Sequence, residues 1–368
     1  MKIMSVFNNK GGVGKSTLAY HTAWALSELG KRVLMIDMDP QCNLSLYGCS
    51  VEDLHGIWEK EDDFIDEGFD ISCEKIGKQG YERLINEPRT IHFLLKPTED
   101  GTGEINEYPE PVKLNDNLFL VPGRLTLHTF EDMLSSRWND VYNDSGNILA
   151  IRTITQIRTI ALKYSKQLNI DYVIIDTSPS LGRMNKAIIS TVDGFIIPAS
   201  PDMFSLYGIR NIGNALLKWR DDFEVIYKLI SAEKLKKFPD RFVQFIGYTI
   251  YNAKRNKAKS NNWGIAQAHY NYAKQMPGTI KEYIPPELRK YLNDEMIDAP
   301  IGQTSIMLTH NTYPASAQKY RCPMWKVPNM DLDNDDINTI LGNRQRYYDT
   351  QSMYHNFAND LLSRIEML

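Results

Sequence analysis

The 368-residue chain is 42% hydrophobic and 24% charged, with 22 Gly and 17 Pro. That ordinary globular composition excludes disordered, collagen-like and fibrous classes. The net charge of −4 averages two opposed regions: residues 51–116 hold 18 acidic against 7 basic side chains, and residues 201–290 hold 16 basic against 8 acidic. Charge therefore bears on partners only region by region.

Residues 2–7 (KIMSVF) predict a short buried strand. A glycine-rich turn follows, then a helix from Lys15, with Leu18, Thr22, Ala25, Leu26 and Leu29 spaced by three and four. Gly30 ends that helix, and VLMI at 33–36 predicts a second strand. This succession is the βαβ unit of a parallel sheet. Asp37 and Asp39 stand just past the second strand, where open α/β sheets place their chemistry. Residues 51–118, acidic and turn-rich, predict an insertion or lid, and aromatics such as Trp58, Phe64 and Phe93 imply that part of it folds.

The rhythm then resumes: a helix over 150–168, a strand at 172–176, a helix over 185–192, a strand at 194–199 and a helix over 204–219. A strand at 243–251, a helix over 263–275 and a short strand at 280–284 come next. Residues 286–345 predict an irregular or short-helix excursion before a final helix over 352–366. The nearly continuous apolar strands fit a sheet covered on both faces. The expected fold is α/β: a mostly parallel central sheet with helices on both faces, one domain over 1–368, enlarged at 51–118 and 286–345.

The turn at 10–17 reads KGGVGKST. The ordinary phosphate-loop spacing would place its first glycine at position 9, where Asn9 stands, so the loop is a deviant form with an added lysine, Lys10. Gly11, Gly12 and Gly14, with Val13 between them, let successive N–H groups turn onto phosphate oxygens, and the helix start adds its dipole. Lys15 should reach the β/γ-phosphates, Ser16 should offer its hydroxyl to Mg²⁺, and Thr17 should bond the α-phosphate.

That loop, IDMDPQCN at 36–43 and DYVIIDTSPSLG at 171–182 together resemble the motifs of the ParA/MinD/Soj group of deviant Walker A ATPases. Fainter agreement runs through 195–212, 246–256 and 282–289. The resemblance implies a P-loop NTPase fold, ATP and Mg²⁺ as cofactors, and a homodimer that sandwiches ATP. It implies that Lys10 crosses to the partner's phosphates, having nothing to satisfy it in the free turn. It also implies that Asp39 orients the attacking water or senses the γ-phosphate, that Asp37 and Asp176 support the metal, and that Asn252 bonds the adenine, with Pro285 against the base. Asp37 or Asp39 as a cap of the turn before Pro40, Asp176 as a helix cap for the TSPS turn, and Asn252 as a turn former remain open readings.

The partition members of the group bind DNA nonspecifically as ATP dimers. Here Lys254, Arg255, Lys257 and Lys259, followed by Arg289 and Lys290, are the candidate contacts to double-stranded DNA. A solvated basic loop is the competing reading. The resemblance implies slow hydrolysis stimulated by an adaptor protein, and a role in plasmid or chromosome partitioning. The same switch acting on a protein cargo, including a defence complex, and a small-molecule kinase or ligase are the alternatives. The opening MKIMSVFNNKGG is too short in apolar run for a signal peptide, no stretch approaches the roughly 20 apolar residues of a membrane span, and the end FANDLLSRIEML is a poor basic anchor. Cys42, Cys49, Cys73 and Cys322 form no CxxC pair, which disfavours a zinc, Fe–S or disulfide framework. The expected setting is cytoplasmic, on the nucleoid if DNA is bound.

Overall fold

The computed structural model describes residues 1–142, 147–256 and 261–368. The strands are β1 (Lys2–Val6), β2 (Val33–Met38), β3 (Val112–Asn115), β4 (Leu118–Val121), β5 (Tyr172–Thr177), β6 (Gly194–Ala199) and β7 (Gln244–Ile250). Among the described residues they form one seven-stranded sheet in the order β3-β4-β2-β5-β1-β6-β7. Every pairing is parallel except β3 with β4, which is antiparallel at the edge.

The principal helices are α1 (Lys15–Glu28), α2 (Val51–Glu59), α3 (Phe69–Ile85), α4 (Ile91–Asp100), α5 (His128–Arg137) and α6 (Ile148–Leu168). They continue as α7 (Arg183–Thr191), α8 (Met203–Leu229), α9 (Met276–Tyr283), α10 (Tyr313–Lys319) and α11 (Arg344–Ile365). Alternation along each strand sorts the core onto two faces. Ile3, Phe7, Leu34, Ile36, Val173 and Ile175 point to one, which α4 to α9 cover; Met4, Val6, Val33, Met35, Ile174 and Ile196 point to the other, under α1, α10 and α11. Helix α1 is buried nearly all round, because it lies between the sheet and α11 rather than at the surface. Glu28 fastens its end, accepting hydrogen bonds from Trp325 Nε1 (3.1 Å) and Gln351 Nε2 (2.9 Å).

Three elements differ from the sequence expectations. The stretch 51–118 is largely helical rather than turn-rich, and β3, at its end, joins the sheet with β4 immediately after it. Residues 280–284 are not a strand: Pro277 starts α9, and Met276, Ile280 and Ile284 recur at helical spacing on the face that packs on α8. The last helix begins at Arg344, a full two turns before the expected start, since Tyr347 and Thr350 already lie on its buried stripe. Within 286–345, Ile301, Ile306, Met324, Trp325 and Val327 belong to the core of the second face.

Candidate active site

Strand β5 lies between β1 and β2, so Asp176 is flanked in register by Val6 and Asp37. The chain leaves β1 through the loop 9–14 and enters α1 at Gly14. Gly12 and Gly14 have φ of 73° and 80°, backbone that L side chains rarely adopt. A Cβ on Gly14 would stand 2.5 Å from the Tyr251 ring, so at that position glycine is demanded twice. Gly11 and Gly12 are exposed and face open space. Val13 is buried and anchors the loop. Thr17 Oγ1 lies 3.0 Å from Tyr47 Oη, at the first turn of α1.

Lys15 is buried and donates to the Lys10 carbonyl at 3.3 Å. Burial lowers its pKa, while Asp176 and Asp39 oppose the shift. Asp176 is fully buried, and neither carboxylate oxygen has a partner of good hydrogen-bond geometry among the described residues. Burial first, then the charge of Asp37, raises its pKa, with the nearby Ser16 hydroxyl and Lys15 acting in the other direction. An orphaned buried carboxylate beside a phosphate loop suits a divalent cation. Among the described residues no three His, Cys, Asp or Glu side chains are grouped so that they could hold a metal ion. Mg²⁺ commonly takes one or two protein ligands and completes its shell with water and phosphate oxygens, so Ser16 with Asp176 is a sufficient donor set.

The two aspartates of the second motif part company. Asp39 lines the cleft beside the glycine loop, a space of about 410 Å³, and among the described residues its carboxylate accepts from Gln41 N (3.0 Å). Asp37 is fully buried and spends both oxygens inside the protein: Oδ2 accepts from Ser45 N (2.8 Å) and Ser45 Oγ (2.6 Å), and Oδ1 from Asp39 N (3.1 Å). Burial raises its pKa despite these donors. This geometry favours the turn-organising reading of Asp37 over a direct place in the metal shell.

Lys10 has a partner in its own chain, contrary to expectation. Its Nζ donates to Asp202 Oδ2 at 2.6 Å, while Asp202 Oδ1 caps α8 by accepting from Ser205 N at 2.9 Å. The pattern Asp-x-x-Ser before a helix signals the cap, whereas nothing local signals the contact with Lys10. Pro314, Ala315 and Gln318 of α10 also line the cleft, whereas Pro285 does not. They arrive because Met324 N donates to His21 Nε2 (3.2 Å) and Trp325 packs against α1, contacts without any local sequence signature.

Asn252 follows β7 with φ 64°, outside the lining of the cleft; its left-handed backbone by itself favours asparagine. Lys254 and Arg255 are exposed in a small excursion after β7, and Lys290 is exposed near α9. Arg289 turns inward instead, donating to the carbonyls of Ile284 (3.1 Å) and Lys281 (3.2 Å) at the end of α9. Lys257 and Lys259 lie outside the described residues. All four cysteines are free thiols. Among the described residues no helix is long and apolar enough to cross a membrane.

Comparison with known proteins completes the picture. A family model described as an AAA domain matches residues 1–225. An uncharacterised protein of Methanocaldococcus jannaschii is 30% identical over 210 residues, covering 57% of this chain and 63% of that protein. The chromosome partitioning protein ParA of Myxococcus xanthus is 28% identical over 215 residues, 58% of each chain. The chain thus spans less than two thirds of either relative. Among solved structures, pNOB8 ParA superposes with a TM-score of 0.56 at 18% identity, over 99% of this chain and 98% of that one. The same protein bound to nonspecific DNA gives 0.54 at 17% identity, over the same shares.

Proposed function

Because the chain belongs to the ParA/MinD/Soj-type family of deviant Walker A ATPases, we propose that it is a Mg-ATP-driven dimerisation switch with slow, partner-stimulated hydrolysis. The observation that carries this reading is the convergence of Lys15, Asp39 and the orphaned Asp176 carboxylate around one glycine loop at the C-terminal ends of β1, β2 and β5. In this reading the loop amides and Lys15 hold the phosphates, and water is oriented by Asp39, whose carboxylate faces the cleft with most of its acceptor capacity free. Ser16 and Asp176 would hold Mg²⁺, which supplies positive charge to the β- and γ-phosphate oxygens. Lys10 leaves Asp202 and neutralises charge on the partner's nucleotide, much as an arginine finger does.

We extend the reading to nonspecific binding of double-stranded DNA by the ATP dimer, in a partitioning role, with an adaptor protein that stimulates turnover. Support comes from exposed Lys254, Arg255 and Lys290, from the chromosome partitioning ParA of Myxococcus xanthus and from pNOB8 ParA bound to nonspecific DNA. The whole chain, including 51–118 and 286–345, is then one ATPase domain. Two measurements test this. Phosphate release and ATP-dependent dimerisation should both disappear in Lys15→Ala while its unfolding transition is kept; retention of either contradicts the ATPase switch. DNA binding should require ATP and fall steeply with salt; equal binding with ADP or without nucleotide contradicts the DNA role.

A further inference from the structure

The loop that follows β4 joins the acidic stretch to the aspartates of the second motif. On its inner side, Gly123 N donates to Ser45 Oγ at 2.8 Å, and Ser45 Oγ donates to Asp37 Oδ2 at 2.6 Å. A Cβ on Gly123 would lie 3.2 Å from Asp37 Cγ, so loop backbone and carboxylate are in close contact. Asp37 in turn accepts from the amide of Asp39.

The outer side of the same loop is gripped by residues 58–91. Trp58 Nε1 donates to Gly123 O at 3.1 Å, and Ile91 N donates to Pro122 O at 2.8 Å. Arg124 is only 6% exposed. Its guanidinium donates to Trp58 O at 2.8 Å, pairs with Asp62 and lies 3.5 Å from Glu61. Glu61 is itself fully buried and accepts from Thr90 N (2.7 Å) and Thr90 Oγ1 (2.6 Å). A buried guanidinium with this many directional partners fixes the backbone on which it sits.

We infer that Arg124, held by Glu61 and Asp62, is a positioning residue for the hydrolytic turn: through Gly123, Ser45 and Asp37 it sets where Asp39 sits, and so ties turnover to the docking of the acidic stretch. The inference rests on the proposed role of Asp39 in hydrolysis. Among the described residues Arg124, Glu61 and Asp62 make no hydrogen bond or ion pair with the phosphate loop, so their effect falls on the chemical step rather than on nucleotide capture. A carboxylate displaced by a fraction of an ångström orients water poorly even when ATP is fully bound.

The test compares the full chain with Arg124→Gln, Arg124→Lys and Glu61→Gln, by steady-state ATP hydrolysis and by amide hydrogen exchange without nucleotide. Arg124→Gln should lower kcat about tenfold with KM for ATP within about twofold, and Arg124→Lys should recover part of the loss. In the same variant the amides of Asp39, Ser45 and Gly123 should exchange faster while those of β1 and β5 keep their protection. Glu61→Gln, which retains an acceptor for Thr90, should show a smaller change of the same kind and guards against an Arg124 variant that fails to fold. Unchanged kcat with unchanged exchange overturns the inference. So does a rise in KM matching the fall in kcat, or exchange accelerated throughout the sheet. If the unaltered chain turns over no ATP, the ATPase reading fails, and the exchange pattern alone still upholds or overturns the coupling.

Discussion

Replacing Asp202 by Asn separates the two tasks of that residue. The substitution removes the charge that holds Lys10 back, yet Oδ1 still accepts from Ser205 N and caps α8. The Lys10 and Asp202 side chains are 26% and 37% exposed, and a pair so placed is worth about 0.5–1 kcal/mol after screening by solvent. A symmetric dimer in which each Lys10 crosses must break two such pairs, about 1–2 kcal/mol in all. Asp202→Asn should therefore tighten the ATP-dependent dimer by about 5- to 30-fold. Sedimentation velocity with a nonhydrolysable ATP analogue measures this directly, and the difference should shrink as salt rises, because the pair is partly solvated. Thermal unfolding of the monomer should move little. A variant that dimerises no more tightly than the unaltered chain, or more weakly, refutes the argument that Lys10 is restrained in cis.

Gly14→Ala combines an unfavourable φ with a collision against the Tyr251 ring, so it should cost about 2–4 kcal/mol in chemical denaturation and abolish ATP binding, whereas Gly11→Ala, facing open space, should leave stability within about 0.5 kcal/mol. Asp176→Asn should stabilise the metal-free protein by about 1–2 kcal/mol at neutral pH, because a carboxyl with a raised folded-state pKa loses stability as pH climbs above its unfolded value; the same variant should lose Mg²⁺-dependent turnover, and denaturation in EDTA beside a phosphate-release assay reads both. His21 donates from Nδ1 to Thr17 O and accepts at Nε2 from Met324 N, and burial pushes its pKa down to about 3. Its folded form thus binds fewer protons than its unfolded form below pH 6.5, and the stability advantage of the unaltered chain over His21→Gln should narrow by about 1.4 kcal/mol per pH unit on acidification from 6.5 towards 3. A gap independent of pH in urea titrations at pH 7 and 5 would count against the neutral, buried imidazole.

The five strands β1, β2, β5, β6 and β7 were legible in the sequence because they are buried on both faces and therefore read as apolar runs. Edge strand β3 alternates without a buried side, and four-residue β4 follows directly on a charged stretch, so neither announced itself. The phosphate loop was legible because its spacing is dictated by local backbone geometry. The cis partner of Lys10, the Ser45 and Gly123 support of Asp37, and the α10 wall of the cleft were not, because each joins segments distant in sequence through packing. Arg289 shows the converse: a basic residue in a basic region, whose guanidinium is consumed by carbonyls at a helix end.

The strand order also governs when the site can come into being during synthesis. β1 is made first, but its two neighbours are β5 and β6, so its backbone groups remain unpaired until residues beyond 170 have been polymerised. β2 likewise waits for β4 and β5 on either side. A nascent chain that ends before Thr177 therefore carries the complete glycine loop with no platform to hold it, and the non-local pairing that assembles the sheet is slow compared with local helix formation. The strands that flank the glycine loop and the buried Asp176 therefore come together in one late event, after β5 has been made.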